Sequence, residues 1–302
     1  MERSVHKKIL LVICGPTAIG KTALAIEVAK RLQTEIISAD SRQFYREMSI
    51  GTAKPTAAEL AEVPHHFINN LSIHDHYTAG MYEKEVLPLL DQLFAKHHIV
   101  VMVGGSGLFI KAVCEGFDDF QNDVITDEVK EKVRALTLEQ MQQEVALLDP
   151  AFYAVVDKQN PRRLQRALEV IYGTGRLYSE QRSGAKTERP FAIVKAGLEL
   201  ERSALNDRIN HRVDQMLTDG LWAEAEALYP YKHLQPLQTV GYQEIFDAIE
   251  GKTTREQAIE LIKQNTRQYA KRQMTWFKKD EDVRWFDTAR DFDIAQFLER
   301  YI

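Results

Sequence analysis

Eight residues, Gly15-Pro16-Thr17-Ala18-Ile19-Gly20-Lys21-Thr22, constrain this chain more than any other stretch, because they fit the phosphate-loop pattern G-x-x-x-x-G-K-[ST]. Their flanks suit the pattern. Ile9 to Cys14 is a short apolar run with the length and composition of a buried parallel strand. Ala23, Leu24, Ile26, Val28, Ala29 and Leu32 then recur at helical spacing. In a strand, loop and helix of this kind the glycines let backbone N–H groups close around a polyphosphate, and the helix N-terminus adds partial positive charge. Lys21 reaches the outer phosphates, and the Thr22 hydroxyl is placed to ligate Mg²⁺. An ordinary strand-to-helix turn has no need of Lys-Thr at these two positions. The chain is expected to bind a di- or triphosphate.

The 302 residues suffice for one large domain or two modest ones, with 44% hydrophobic and 27% charged residues as in ordinary soluble proteins. A formal net charge of −5 means that any nucleic-acid partner must be met by local basic clusters. Cys14 and Cys114 are too few for a disulfide framework or a four-cysteine zinc site. Arg3, Lys7 and Lys8 precede an apolar run as in a secretory leader, but the run leads directly into the phosphate loop. No stretch approaches the ~20 apolar residues of a membrane helix. The chain is read as cytoplasmic, without a membrane partner, and as a monomer.

Glu35 to Ala39 reads as a second short strand, followed by Asp40-Ser41-Arg42-Gln43. Residues just past the strand ends of an open parallel sheet line the ligand crevice, which puts Asp40 on the rim of the phosphate loop. A carboxylate there can hold Mg²⁺ or take a proton from a nucleophile; the competing reading is a helix cap. Tyr45 to Pro55 reads as loop, and so does Pro64-His65-His66-Phe67, with partly exposed imidazoles there and at His74 and His76. The spacing Met81, Val86, Leu89, Leu90, Leu93, Phe94 predicts a helix between Thr78 and His98, capped by Thr78. Ile99 to Val103 is a third buried strand, running into Gly104-Gly105-Ser106-Gly107. Motor and transport ATPases often end such a strand in a metal-holding carboxylate. Glycines stand here instead, so the acidic role falls to Asp40, an arrangement closer to kinase-like transferases.

Beyond Glu115 the character changes. Asp118 to Asp127 is polar and acidic, and helical patterns over about 127–136, 138–148 and 161–172 have no strands between them. A β-like run at Ile193–Leu198 then returns the chain to the sheet. The expected architecture is a parallel α/β phosphate-loop core over 1–118 and 191–302, with a helical insertion domain over 119–190. Two basic clusters stand out. Arg162-Arg163-Leu164-Gln165-Arg166 lies in the insertion, with Lys158 and Arg176 nearby. A long helix starting at Thr254, with Gln257 completing a capping box, carries Lys263, Arg267, Lys271, Arg272, Lys278 and Lys279. Tyr269, Trp276 and Phe277 are interleaved with these charges, as in surfaces that grip phosphates and stack bases. One or two of Arg202, Arg208 and Arg212 are expected to meet a diphosphate at the rim. Val283–Phe286 reads as a strand before a polar helix.

GPTAIGKT (15–22), SADSRQFYREMSIGTAKP (38–55), PHHF (64–67), GGSGLFI (104–110), NPRRLQRALEV (160–170), TVGYQE (239–244) and TRQYAKRQMTWF (266–277) together resemble the bacterial tRNA dimethylallyltransferase family, in order and across nearly the whole chain. The resemblance implies transfer of the dimethylallyl group of dimethylallyl diphosphate to the exocyclic amine of the adenosine just 3′ of the anticodon, in tRNAs that read codons beginning with U. It implies a nucleotide-kinase-like core in which Gly15 to Thr22 hold the diphosphate, where Arg208 and Arg212 are the rim arginines expected to join them, and in which Asp40 is the general base beside Lys21 and Thr22. Asp40 to Gln43, Ser106, Arg162 to Arg166, Gly241, Tyr242, Lys271, Arg272 and Gln273 would meet tRNA, with Mg²⁺ on Thr22 and Asp40. Ser106 stands where the family more often has Thr, and Pro161 where it commonly has Asp. The rival readings are a small-molecule kinase, a prenyltransferase acting on free adenylate, and a non-enzymatic RNA-binding protein. The first two leave the basic clusters without a role, and the third leaves Lys21, Thr22 and Asp40 without one.

Overall fold

The computed structural model describes residues 8–116, 125–181 and 186–289. Most of the acidic stretch from Asp118, and the polar helix expected after the last strand, lie outside the described residues. The chain divides into two compact units, one running to Glu115 and resuming at Arg189, the other between Gly116 and Glu188.

The first unit is built on a parallel sheet of β1 (Ile9–Cys14), β2 (Ile36–Ser38), β3 (His65–His66), β4 (Ile99–Gly104), β5 (Ala192–Glu199) and β6 (Val283–Asp287), in the order β3-β2-β4-β1-β5-β6. β1 and β4 pair from Ile9–Ile99 to Cys14–Gly104, and β1 pairs equally with β5 on its other side. These central strands are apolar throughout because helices cover both faces. On one face Leu10, Val12, Val100 and Met102 meet Tyr82, Val86 and Leu90 of α3 (Ala79–Lys96) and Val113 of α4 (Gly107–Glu115). On the other, Leu11, Ile13, Val101 and Val103 meet Ala25, Ile26 and Ala29 of α1 (Lys21–Leu32). The period-two alternation along each strand decides which side chain goes to which face. A short α2 (Ala57–Glu62) precedes β3. The Pro64–Phe67 stretch, expected as loop, supplies that edge strand: Ile36 pairs with His65 and Ile37 with His66, and His66 Nε2 lies 2.7 Å from Glu35 Oε2.

After β5 come α10 (Arg202–Thr218), α11 (Leu221–Leu228), α12 (Gln243–Ile249) and α13 (Arg255–Phe277). They share a core of Met48, Val213, Leu221, Tyr242, Ile245 and Ile262. The capping box at the start of α13 forms as the sequence predicts, with Thr254 accepting from the Gln257 N–H and Gln257 Oε1 from the Thr254 N–H.

The second unit consists of α5 (Asp127–Arg134), α6 (Leu138–Leu148), α7 (Pro150–Val155), α8 (Pro161–Thr174) and α9 (Tyr178–Gln181). Val133, Met141, Val145, Phe152, Leu164 and Leu168 form its core. Asp149 is fully buried and accepts from the Phe152 N–H at 3.0 Å and from the Ser179 N–H and hydroxyl at 2.7 Å each. Burial would raise its pKa, but these bonds outweigh it and hold the carboxyl below its ordinary value. Among the described residues no helix is long and apolar enough to cross a membrane.

Candidate active site

Strand order brings the functional segments together. The phosphate loop leaves β1, Asp40 follows β2 and Ser106 follows β4, and these three strands are neighbours in the order β2-β4-β1. Their C-terminal ends share one rim, the ligand side of an open parallel sheet. Two glycines make the closeness possible. A Cβ on Gly104 would lie 2.2 Å from the Ala39 carbonyl oxygen, so only glycine lets β4 pass the chain leaving β2. Gly15 has φ +147° and no room for a Cβ, which would lie 2.8 Å from the Leu198 carbonyl oxygen. The loop then turns through left-handed Ala18 and Gly20 into α1.

Lys21 Nζ folds back to donate to the Pro16 carbonyl at 2.7 Å. Burial lowers its pKa to about 8, with Asp40 raising and Arg212 lowering it. Asp40 Oδ1 accepts the Arg42 N–H at 3.1 Å, and Ser106 Oγ accepts the Ser41 N–H at 3.0 Å, so the segment after β2 is fixed from two sides. α10 brings Arg208 Nη1 to 3.4 Å from the Ile19 carbonyl and Arg212 Nη1 to 3.5 Å from Thr17 Oγ1. Arg202 opens the same helix, exposed.

One polar cleft takes in the phosphate loop from Thr17 to Thr22, Asp40, Arg208, Arg212 and His211. A mainly apolar pocket adjoins it, walled by Ile209, Val213, Met216, Leu221, Val240 and Ile262, with Arg42, Thr239 and Thr266 among its polar lining. Thr17, Asp40, Thr52, Ala53, Arg212 and Tyr269 line both. Tyr269, read as part of a basic-aromatic surface, thus faces the cleft, where burial and then Asp40 push its phenol up to about 12.

Several residues assigned to tRNA are engaged within the protein. Tyr242 is fully buried, with its hydroxyl donating to Glu224 Oε1 at 2.7 Å, and Leu164 is fully buried in the core of the second unit. Neither side chain has a surface to offer. Gln273 is buried against the phosphate loop: its Oε1 accepts the Thr17 N–H and its Nε2 donates to Gly105 O, both at 2.9 Å. Gln43 turns its amide to the Thr52 and Ala53 carbonyls, each at 3.2 Å. Gln165 donates to Glu169 at 3.0 Å, and Arg166 also pairs with that carboxylate at 3.7 Å. Gly241 is buried, with φ +97°, and lines the apolar pocket. Lys263 pairs with Asp214 at 2.7 Å and Arg267 donates to Asn210 at 2.6 Å, so two of the six cations expected on this basic surface pack against α10. Arg162, Arg163, Lys271 and Arg272 are exposed.

Sequence reading missed Lys54, Glu224 and the loop-bracing role of Gln273. Lys54 lies in the cleft and donates to Tyr45 O at 2.7 Å and Asn69 Oδ1 at 2.6 Å, and burial lowers its pKa to about 8. Its place at the end of the run SADSRQFYREMSIGTAKP (38–55) was the available signal. Glu224 has none, since a helical Glu among alanines looks like any solvated one.

A phosphate loop, a carboxylate two strands away and a pair of arginines over one cleft define a phosphate-loop group-transfer enzyme of nucleotide-kinase-like α/β fold. The sequence profile of the IPP transferase family matches residues 43–280. The tRNA dimethylallyltransferase 1 of Bacteroides fragilis is 46% identical over 98% of this chain and 99% of its own length. The crystal structure of the full-length tRNA isopentenylpyrophosphate transferase from Bacillus halodurans superposes with a TM-score of 0.70 at 38% identity, over 97% of this chain and 94% of that one. A eukaryotic dimethylallyltransferase captured acting on tRNA gives a TM-score of 0.83 at 26% identity, over 96% of this chain and 77% of that one. The chain belongs to the tRNA dimethylallyltransferase family.

Proposed function

We propose that this chain transfers the dimethylallyl group from dimethylallyl diphosphate to the exocyclic amine of the adenosine just 3′ of the anticodon, in tRNAs reading codons that begin with U. The observation that carries this reading is the junction of the two pockets. A cleft of phosphate-binding groups opening into a small apolar pocket suits a diphosphate with a short hydrocarbon tail, whereas a nucleoside triphosphate would put a sugar and base there. Family membership supports the same activity and tRNA as the acceptor.

In this reading Gly15 to Thr22 hold the diphosphate through backbone N–H groups, with Lys21, Arg208 and Arg212 supplying positive charge. Asp40 lines both pockets and so stands where tail and diphosphate join. The exocyclic amine attacks the allylic carbon, a C–N bond forms, and the C–O bond breaks with its electron pair leaving on the diphosphate. Asp40 takes the amine proton, which the weakly basic nitrogen must lose for bond formation to become irreversible. Lys21, Arg208 and Arg212 stabilise the charge gathering on the leaving oxygens. Thr22 and Asp40, a hydroxyl and a carboxylate, fit the needs of Mg²⁺, which takes one or two protein oxygens beside phosphates and water and would neutralise part of that charge. Arg162, Arg163, Lys271 and Arg272 are the exposed cations assigned to tRNA phosphates.

The test is incubation with labelled dimethylallyl diphosphate and either anticodon stem-loop RNA or AMP, and separately with labelled ATP. Label on the RNA and not on AMP is expected. Label on AMP alone overturns the tRNA assignment, and phosphoryl transfer from ATP without prenyl transfer overturns the activity.

A further inference from the structure

The loop Ser49-Ile50-Gly51-Thr52-Ala53 walls the apolar pocket through Gly51, Thr52 and Ala53, and the last two also face the polar cleft. One distant carboxylate holds it. Glu224 Oε2 accepts the Ser49 N–H at 3.0 Å and the Ile50 N–H at 2.8 Å; Oε1 accepts the Gly51 N–H at 2.9 Å and the Tyr242 hydroxyl at 2.7 Å. Successive N–H groups converging on one point form a nest for an anion, and here the anion is part of the protein. Bonds to an ionised carboxylate are also stronger than neutral ones.

Tyr242 completes the arrangement. Its ring is so close to Gly51 that a Cβ there would lie 2.6 Å from the ring, and burial together with Glu224 pushes its phenol far above the ordinary value, keeping it a donor. On the opposite side Gln43 bonds the Thr52 and Ala53 carbonyls, and Ala53 is held at φ +46°, a conformation that costs energy outside glycine. Gln43 also donates its N–H to the Asp40 carbonyl at 3.1 Å. The wall of the apolar pocket and the segment carrying Asp40 are thus braced together.

We propose that Glu224, with Tyr242, is a positioning clamp that sets the wall of the apolar pocket and thereby the length of prenyl chain it accepts. The proposal rests on reading that pocket as the seat of the dimethylallyl group. Glu224 lines neither pocket and acts through the loop. Without the clamp three N–H groups lose their acceptor, the wall is no longer held in place, and longer donors gain relative to dimethylallyl diphosphate. A merely structural carboxylate would change the amount of folded enzyme and scale both donors alike.

The experiment measures kcat/KM of the full chain for dimethylallyl and geranyl diphosphates with anticodon stem-loop RNA. Glu224→Gln is nearly isosteric, but its amide sets an N–H₂ group against at least one of the four donors. The preference for dimethylallyl is expected to fall about tenfold or more, with KM for RNA little changed. Tyr242→Phe removes one donor and should shift the preference the same way by roughly two- to fivefold. Geranyl use by E224Q that stays in wild-type proportion, or stays undetectable, overturns the clamp. If E224Q does not fold, the same criterion applied to Y242F decides. A wild-type chain that transfers nothing from dimethylallyl diphosphate overturns the functional reading first, and the clamp with it.

Discussion

Gln273 and Thr17, 256 positions apart, are joined by a 2.9 Å hydrogen bond from the Thr17 N–H to the Gln273 side-chain carbonyl. The other end of the same amide donates to Gly105 O, so one side chain of α13 ties the phosphate loop to the loop after β4. Removing it leaves a half-buried donor and a buried acceptor unpaired, the buried one at roughly 1–3 kcal/mol if water does not enter. Gln273→Ala is therefore expected to lower the Tm. It should also reduce kcat/KM for dimethylallyl diphosphate by about 10–100-fold through misplacement of the loop. Thermal unfolding and steady-state kinetics on the same preparation check both, and a normal kcat/KM would show that the loop keeps its place unaided.

Asp40→Asn preserves the shape of the side chain and an acceptor for the Arg42 N–H while removing the base. Turnover should fall by about 10²–10⁴, the usual contribution of a positioned base, with RNA affinity nearly unchanged. Single-turnover kinetics alongside an RNA-binding titration separate the two effects. Turnover within threefold of wild type, on the order of experimental scatter, would remove Asp40 from proton transfer.

The pH dependence follows from Lys21. Burial has lowered its free-enzyme pKa to about 8, so it loses its proton as pH rises through that value. A diphosphate prefers the charged lysine, and kcat/KM for the donor, which reports the free enzyme, should therefore fall above pH 8. Lys54, also lowered to about 8 by burial, would steepen the decline beyond one proton. Bound diphosphate pulls the Lys21 pKa back up, so kcat should stay flatter than kcat/KM over the same range. Donor kcat/KM that is level well above pH 8 would remove Lys21 from diphosphate binding.

Adjacent residues of α8 should behave in opposite ways. Arg162 and Arg163 are exposed, and replacing both with Ala should leave stability intact while reducing the salt dependence of RNA binding, its log–log slope shrinking by about 1–2. Leu164→Ala opens the core of the second unit, costing about 2–5 kcal/mol of that unit's stability. Binding titrations at several salt concentrations, with calorimetric unfolding, distinguish the charge effect from the packing effect.

What the sequence by itself determined is what local patterns can carry: the phosphate loop and its strand and helix, the apolar central strands, the capping box of α13, the helical insertion and the in-order run of motifs that marks the family. Period and spacing carry this information because a strand buried on both faces must be apolar throughout, and a phosphate loop needs glycine, lysine and threonine at set intervals. The partners of polar side chains were decided only by tertiary structure. Nothing in TVGYQE distinguishes a tyrosine facing RNA from Tyr242 buried on Glu224, and nothing around Lys263 announces Asp214 on another helix. Gln273 reads as one more polar residue in a basic run until α13 crosses the phosphate loop and its amide finds Thr17 and Gly105. Hydrogen bonds between residues far apart in the chain depend on how the helices pack, and no local pattern records that packing.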